Sequence, residues 1–327
     1  MRTAIKPILS LTVITLALPL LSFAQGKSIY GADNRMELFA APADIQNLSG
    51  SVASLWRTTN VVFNPQSKTF TLNAANFGSS FNLCPDERFR DQPKGAFCSG
   101  SLVGPDLIMT AGHCLADAAD CAATKIVFGF SVKKMGGQAP LKIAQNEVYN
   151  CKQIVKVLEG DADYSLIRLN RPVTGHKPLA VNRSSKLKNG DGVFVIGHPK
   201  GLPLKIADRA TVRDIAPAGY FSTDLDTFSG NSGSPVFNAK TKLVEGILVR
   251  GGQDLEQNTA GCTSSSYFPQ NGGRGEDVTK ISKLQAFIPK LAAEKKAEAA
   301  VKANTIKAIK AGEVKALQGF DAENLFR

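Results

Sequence analysis

The chain has 327 residues, 43% of them hydrophobic, enough for one large domain or two modest ones with buried cores. Its formal net charge of +11 favours acidic surfaces, but no nucleic-acid motif or aromatic stacking platform accompanies it, so nucleic acid is not an expected partner and the charge reads as solubility with non-specific adhesion. Six cysteines, with no Cys-x-x-Cys pair and no His-Glu-x-x-His segment, argue against the common zinc patterns and for disulfides in an exported protein.

The first residues read as an address. Arg2 and Lys6 precede an apolar run from Ile8 to Leu21 that ends in Ser22-Phe23-Ala24, with small residues at both positions a signal peptidase reads. Residues 1–24 are therefore expected to be a signal peptide, with the mature chain starting near Gln25 and losing the two charges of Arg2 and Lys6. Pro19 breaks the run, which is shorter than the roughly 20 apolar residues of a spanning helix, so no membrane span is expected in the mature chain. The implied destination is secreted or periplasmic. Residues 25–50 are left as an N-terminal segment or short propeptide.

From about Ser51 to Ile288, short β-prone runs alternate with glycine, proline and asparagine. They include Ser101–Val103, Leu107–Met109, Lys125–Phe128, Tyr164–Leu169, Gly192–Ile196 and Leu243–Val249. Such runs at short spacing predict antiparallel barrels or sandwiches, with residues 170–190 as a connector between two β halves, 51–175 and 176–290. From Ser282 to about Leu317 alanine, lysine and glutamate dominate, a helix-forming composition interrupted by Pro289 and Gly312. Val301, Ile306 and Ile309 fall near helical spacing, and residues 291–327 are expected to form a solvated helical tail.

Three separated stretches carry candidate chemistry. In "FCSGSLVGPDLIMTAGHC", residues 97–114, Cys98 and Cys114 flank a hairpin-like unit, and a disulfide between them would hold the turn of His113 rigidly, as a general base requires. In "DADYSLIRL", residues 161–169, Asp163 stands just before an alternating strand, where it could fix the tautomer of that histidine and stabilise its imidazolium. In "SGNSGSP", residues 229–235, glycines bracket Ser232; alone this is an ordinary turn, but with the other two stretches it becomes a seat for a nucleophile.

The order histidine, aspartate, serine, with β structure between, resembles the chymotrypsin-like serine peptidases at all three stations: Thr110-Ala111-Gly112-His113-Cys114, Asp163-Tyr164-Ser165-Leu166, and Gly230-Asn231-Ser232-Gly233-Ser234-Pro235. Asp163 is preferred to Asp161 because it fits the family's Asp-x-x-Leu-x-x-Leu pattern with Leu166 and Leu169. The resemblance covers roughly Ser51 to Ile288. It is strongest to the bacterial branch that includes glutamyl endopeptidases, which similarly has an asparagine before the nucleophile and a prologue like Ile29–Arg35. It implies an all-β fold of two antiparallel six-stranded barrels with a C-terminal helix and helical tail. It also implies catalysis by His113, Asp163 and Ser232 without a cofactor, an oxyanion hole from the amides of Gly230 and Ser232, and protein or peptide substrates. His176 and His198 lack the motif context and are read as loop residues.

Asn231 stands where the trypsin branch has aspartate and cannot pair with a newly cut amine, so no trypsin-style zymogen switch is expected. Asp226, six positions before Ser232, matches the trypsin branch's pocket aspartate, and Gly251 an open pocket wall. Both favour Lys or Arg before the cut bond. Arg250 could instead bind an acidic chain, but Gly246–Arg250 lacks the histidine with which the glutamyl branch usually reads the acid. A catalytically silent binding module on the same fold, or an adhesion protein working through its basic tail, are the readings from other classes. Of the remaining cysteines, Cys121 with Cys151 and Cys84 with Cys262 is the combination adopted, the sequence leaving it open along with the oligomeric state.

Overall fold

The computed structural model describes residues 28–184 and 186–310. The expected signal peptide, the start near Gln25 and the tail beyond residue 310 lie outside them. Twelve strands build two barrels: β1 (Val52–Arg57), β2 (Cys98–Gly104), β3 (Leu107–Thr110), β4 (Thr124–Val127), β5 (Val148–Leu158), β6 (Tyr164–Leu169), β7 (Gly192–Gly197), β8 (Lys205–Asp214), β9 (Tyr220–Thr223), β10 (Pro235–Asn238), β11 (Val244–Arg250) and β12 (Glu276–Lys280).

The first barrel closes in the order β1-β2-β3-β6-β5-β4, and the second in the order β7-β8-β9-β12-β11-β10, every pairing antiparallel. The two halves thus share one strand order although their sequences show no obvious repeat. Closure leaves no ring strand with an unpaired edge. One further strand, Arg35–Glu37, lies antiparallel on β8, so the N-terminal segment is part of the second barrel's sheet. A hairpin of Val61–Asn64 and Thr69–Leu72, extended by Lys142–Ala144, covers Trp56 and Phe130 on the first.

Period-2 alternation explains the uninterrupted apolar runs. In β7, Val193 and Val195 enter the second barrel's own core, while Phe194 and Ile196 join a cluster shared with Leu55, Leu102, Ile108 and Leu166 of the first. Strand β11 repeats the division, Leu248 facing inward and Ile247 and Val249 the shared cluster. Both faces of these strands are buried, so both carry apolar side chains. The barrels are held together by this common layer.

All three disulfides form: Cys84–Cys262, Cys98–Cys114 and Cys121–Cys151. The C-terminal helix begins later than composition suggested. Residues Ile281–Lys283 and Gln285–Phe287 are single 3-10 turns, and the α-helix spans Ala292–Lys310. Pro289 disfavours the helical conformation at Ile288, which is extended at φ −95° and ψ 125°. Arg183 fastens the junction, donating to Gln285 O, Ile288 O and Glu294 Oε1. Of the proposed stripe, Ile306 is partly open to solvent; the side chains of Val301 and Ile309 lie outside those described. Among the described residues, no helix is long and apolar enough to cross a membrane.

Candidate active site

The histidine turn follows β3 directly, as a 3-10 turn over Gly112–Cys114. Asp163 sits just before β6, which pairs with β3, so the register Ser165–Thr110 brings the two turns side by side. Asp163 Oδ2 lies 2.6 Å from His113 Nδ1. Its Oδ1 accepts from Gly112 N at 2.5 Å and His113 N at 3.2 Å, so the carboxylate holds both the ring and the turn that carries it. Asp163 is buried while the imidazole is a quarter exposed, at 25%. Gly112 has no room for a side chain: a Cβ there would lie 2.4 Å from Leu158 O and 2.8 Å from Asp163 Oδ1.

The serine turn comes from the second barrel and is pressed against the same strands. Ser99 N donates to Ser232 O at 2.8 Å, and Ser99 Oγ to Gly230 O, also at 2.8 Å. Gly233, at φ +90°, meets the first barrel so closely that a Cβ would lie 2.0 Å from Ser99 O and 2.2 Å from Thr110 Oγ1. Thr110, Ala111 and Gly112 lead straight to His113, so this contact brings Ser232 to the histidine turn. Cys114 Sγ is 3.7 Å from Ser232 O, and the Cys98–Cys114 bridge ties that turn to β2. Ser232 Oγ also lies 3.4 Å from Val249 O at the end of β11.

Within the turn, the amide of Asn231 is bound to Phe228 O, that of Gly233 to Leu248 O and that of Ser234 to Asn231 O. The two amides expected to face an oxyanion, Gly230 and Ser232, alternate with these. Gly230, at φ +95°, packs against the backbone of His198–Gly201, where a Cβ would meet His198 O at 2.7 Å. Lys200 in that stretch donates to Ser229 Oγ at 2.8 Å and pairs with Asp254, which also accepts from Ser229. A buried ion pair thus braces the residue just before Gly230.

His198 is buried, stacks on Phe130 and lies 3.0 Å from Leu202 O through Nδ1; burial pushes its pKa down to about 4. It lies in the loop after β7, as expected from the sequence, and there supports the serine turn from behind. His176 stacks on Phe128 and contacts Glu147 at 2.7 Å. Cys98, His113 and Cys114 could be mistaken for metal ligands, since their donor atoms lie within 4.8 Å of one another, but both sulfurs are joined in the disulfide and supply no thiolate.

The residues assigned to substrate binding are differently disposed. Asp226 is buried at 3% exposure, and its two oxygens accept from Tyr30 N and Asn34 N, each at 2.7 Å. It is the anchor of the N-terminal segment, and burial pushes its pKa up to about 6 despite those two amides. A carboxylate so enclosed does not present its oxygens to an incoming side chain, which corrects the role drawn from its spacing to Ser232. Arg250 is likewise committed: Nε donates to Asp277 Oδ2, and the two terminal nitrogens to Gly160 O and Asp161 O across the barrel interface.

Gly251 continues β11 past the serine, and here the sequence reading missed a neighbour. A Cβ on Gly251 would lie 2.1 to 2.3 Å from the carboxyl group of Glu276. Glu276, at the start of β12 and fully buried, accepts from Thr227 Oγ1 at 2.6 Å, Tyr30 OH at 3.2 Å and Gly252 N at 3.4 Å. No motif marks it, and it opens a strand, Glu276–Lys280, with a single apolar residue, Val278.

Residues 98–247, a span that includes His113, Asp163 and Ser232, match the family described as "Trypsin-like peptidase domain". Snake venom serine proteinase 11 of Crotalus adamanteus is 29% identical over 189 residues, covering 50% of this chain and 70% of its own. Among solved structures, a Glu endopeptidase in complex with MPD is similar at a TM-score of 0.46 and 15% identity, covering 79% of this chain and 98% of that one. The VesB protease of Vibrio cholerae aligns at a TM-score of 0.46 and 13% identity, over 78% of this chain and 66% of its own.

Proposed function

We infer that this chain, a serine endopeptidase of the chymotrypsin/trypsin-like family, cuts peptide bonds with Ser232 as nucleophile, His113 as general base and acid, and Asp163 as the orienting carboxylate. The observation that carries this reading is the 2.6 Å contact of His113 Nδ1 with Asp163 Oδ2, made on strands against which the Ser232 turn is packed. With a proton on Nδ1 facing Asp163, Nε2 is the basic nitrogen.

His113 Nε2 takes the hydroxyl proton as Ser232 Oγ bonds to the carbonyl carbon. The carbonyl oxygen becomes an oxyanion facing the amides of Gly230 and Ser232. Collapse breaks the C–N bond, and the imidazolium passes its proton to the leaving amine. Water then repeats the sequence on the acyl-enzyme: His113 removes its proton, the acyl bond breaks and Ser232 Oγ regains a hydrogen. Asp163 holds the ring in place throughout.

Two further parts belong to this reading. Export is supported by the three disulfides, which persist in oxidising compartments, and by the apolar leader pattern in the sequence. A preference for Lys or Arg before the cut bond is supported by the engagement of Arg250 with Asp277, which leaves that guanidinium poorly placed to bind an acidic chain.

The test is mass-spectrometric mapping of every cut made in a denatured protein mixture, with Ser232→Ala as control. Cuts after Lys and Arg that vanish in the control support the whole reading. Cuts after Glu or Asp that vanish keep the mechanism and overturn the preference, and cuts that persist in the control overturn the mechanism.

A further inference from the structure

We propose that Lys200 and Asp254 are positioning residues for the reaction: together they fix the orientation of the Ser229–Gly230 peptide and so hold the Gly230 amide toward the oxyanion. This rests on the peptidase reading above, in which that amide is one of two donors to the oxyanion.

Ser229 is gripped at each of its polar atoms by these two residues. Its amide donates to Asp254 Oδ1 at 3.1 Å and Oδ2 at 3.2 Å, and its hydroxyl donates to Asp254 Oδ2. Lys200 Nζ donates to the same hydroxyl at 2.8 Å, and Lys200 N donates to the Ser229 carbonyl at 2.6 Å. Lys200 Nζ and Asp254 Oδ2 close the ring as an ion pair, with side chains only 15% and 5% exposed. A pair so enclosed is weakly screened by salt, and its charge-assisted bonds are strong.

The carbonyl contact decides which way the next amide points. No peptide bond among the described residues is cis, so the C=O of Ser229 and the N–H of Gly230 point in opposite directions. With the carbonyl turned to Lys200 N, the Gly230 N–H points away from the Pro199–Gly201 turn. The peptide that follows is held separately, since Ser99 Oγ of the first barrel donates to Gly230 O at 2.8 Å. The ion pair therefore acts on the Ser229–Gly230 peptide and leaves its neighbour to the other barrel.

That peptide is able to turn over. Reversing it changes ψ of Ser229 and φ of Gly230 together, and glycine accepts a negative φ as readily as the +95° it has here. The reversed peptide would present a carbonyl oxygen where the oxyanion forms, and so repel the developing charge instead of stabilising it. The backbone of Lys200 points the same way: it lies at φ +52°, a region glycine normally occupies, and its side chain, anchored on Ser229 and Asp254, holds it there. Asp254 is fixed in turn. Its carbonyl accepts from Ser266 N at 2.9 Å, at the open end of the hairpin Leu255–Gln257 with Thr263–Ser265, and the nearby Cys262 is bonded to Cys84.

The experiment compares wild type with Lys200→Met, Asp254→Asn and the double variant, which leaves no buried charge unpaired. For a peptide amide substrate, kcat is expected to fall by about 10²-fold with KM changed less than about twofold, because the donor acts on the transition state. The direct probe is a ¹³C-labelled peptidyl trifluoromethyl ketone built on the sequence that wild type cuts best. Ser232 Oγ bonds to the ketone carbon, the hydroxyl proton passes to His113, and the ketone oxygen becomes an oxyanion whose protonation is followed by NMR. In the variants it is expected to protonate at a pH at least about one unit higher than in wild type, a tenfold loss of stabilisation. Ser229→Ala keeps the ion pair and removes the hydroxyl it grips; it is expected to shift kcat and oxyanion protonation in the same direction, and it carries the test if the charge variants do not fold. Thermal unfolding establishes which variants are folded.

Folded variants with wild-type kcat and wild-type oxyanion protonation would overturn the proposal. So would a loss of stability and activity with oxyanion protonation unchanged, because the pair would then be structural only. A wild type that forms no adduct and cuts no peptide would overturn the peptidase reading, and this proposal with it.

Discussion

Thr279, on β12 of the second barrel, holds Asp163 of the first through both ends of one peptide residue: its hydroxyl accepts from Asp163 N at 3.0 Å and donates to Asp163 O at 2.8 Å. The aspartate proposed to orient His113 is thus fixed by the opposite barrel, the one that carries Ser232. Removing the hydroxyl while keeping the shape should show what this link contributes. Thr279→Val is expected to cost about 1–3 kcal/mol of stability, because it leaves a buried amide and carbonyl without their partner. It should lower kcat more than it raises KM. Urea unfolding and steady-state kinetics measure both, and an unchanged kcat would show that Asp163 is held adequately by its own barrel.

Asp163→Asn tests the orienting carboxylate directly. An amide can present its NH₂ to His113 Nδ1 and stabilise the wrong tautomer, so kcat is expected to fall by about 10⁴ with the fold retained. A loss of less than tenfold would argue for another base or another orienting residue.

Gly233→Ala should be severe for a geometric reason. Its φ of +90° already disfavours a side chain, and the new Cβ would lie 2.0 Å from Ser99 O. The serine turn must then withdraw from the first barrel, so activity is expected to fall at least 10²-fold and the melting temperature to drop. A fully active, equally stable variant would show that the close approach of the barrels at Ser99 is dispensable.

Arg250→Ala separates a structural role from substrate recognition. Its guanidinium bridges Asp277 to the carbonyls of Gly160 and Asp161, close to Asp163, so the expected effect is reduced kcat and stability with the same cut-site preference. A change in which residues precede the cut would instead make Arg250 a substrate contact.

Two buried groups give opposing pH dependences. Burial raises Asp226 from 3.8 to about 6, so its contribution is fully present below the unfolded value and is lost as pH rises through about 6. Burial lowers His198 from 6.5 to about 4, so its contribution is present above the unfolded value and is lost as pH falls through about 4. Each is of the order of 3 kcal/mol, with opposite slopes between about pH 4 and 6. Asp226→Asn should therefore steepen the loss of stability on acidification relative to wild type, and His198→Asn should reverse its direction. Denaturant unfolding at several pH values measures this, and parallel curves for all three proteins would contradict it.

Much of this protein was legible locally. Short β-prone runs marked β2, β3, β6, β7 and β11, strands buried on both faces, and the motifs around His113, Asp163 and Ser232 carry the tight turns that short-range backbone geometry demands. Pro289, too, announced a break that the structure places just before the last helix.

What only the tertiary structure decided is which partner each acid meets. By spacing alone Asp226 looked like the pocket acid, yet an amide 196 residues away, on Tyr30, occupies it. Glu276 carried no signal, yet barrel closure sets it behind Gly251. Strand periodicity and turn chemistry are local and leave their mark on neighbouring residues. The environment of a buried charge is made by segments that meet only when the barrels close, and it is that environment, more than the residue type, that determines what a carboxylate can bind.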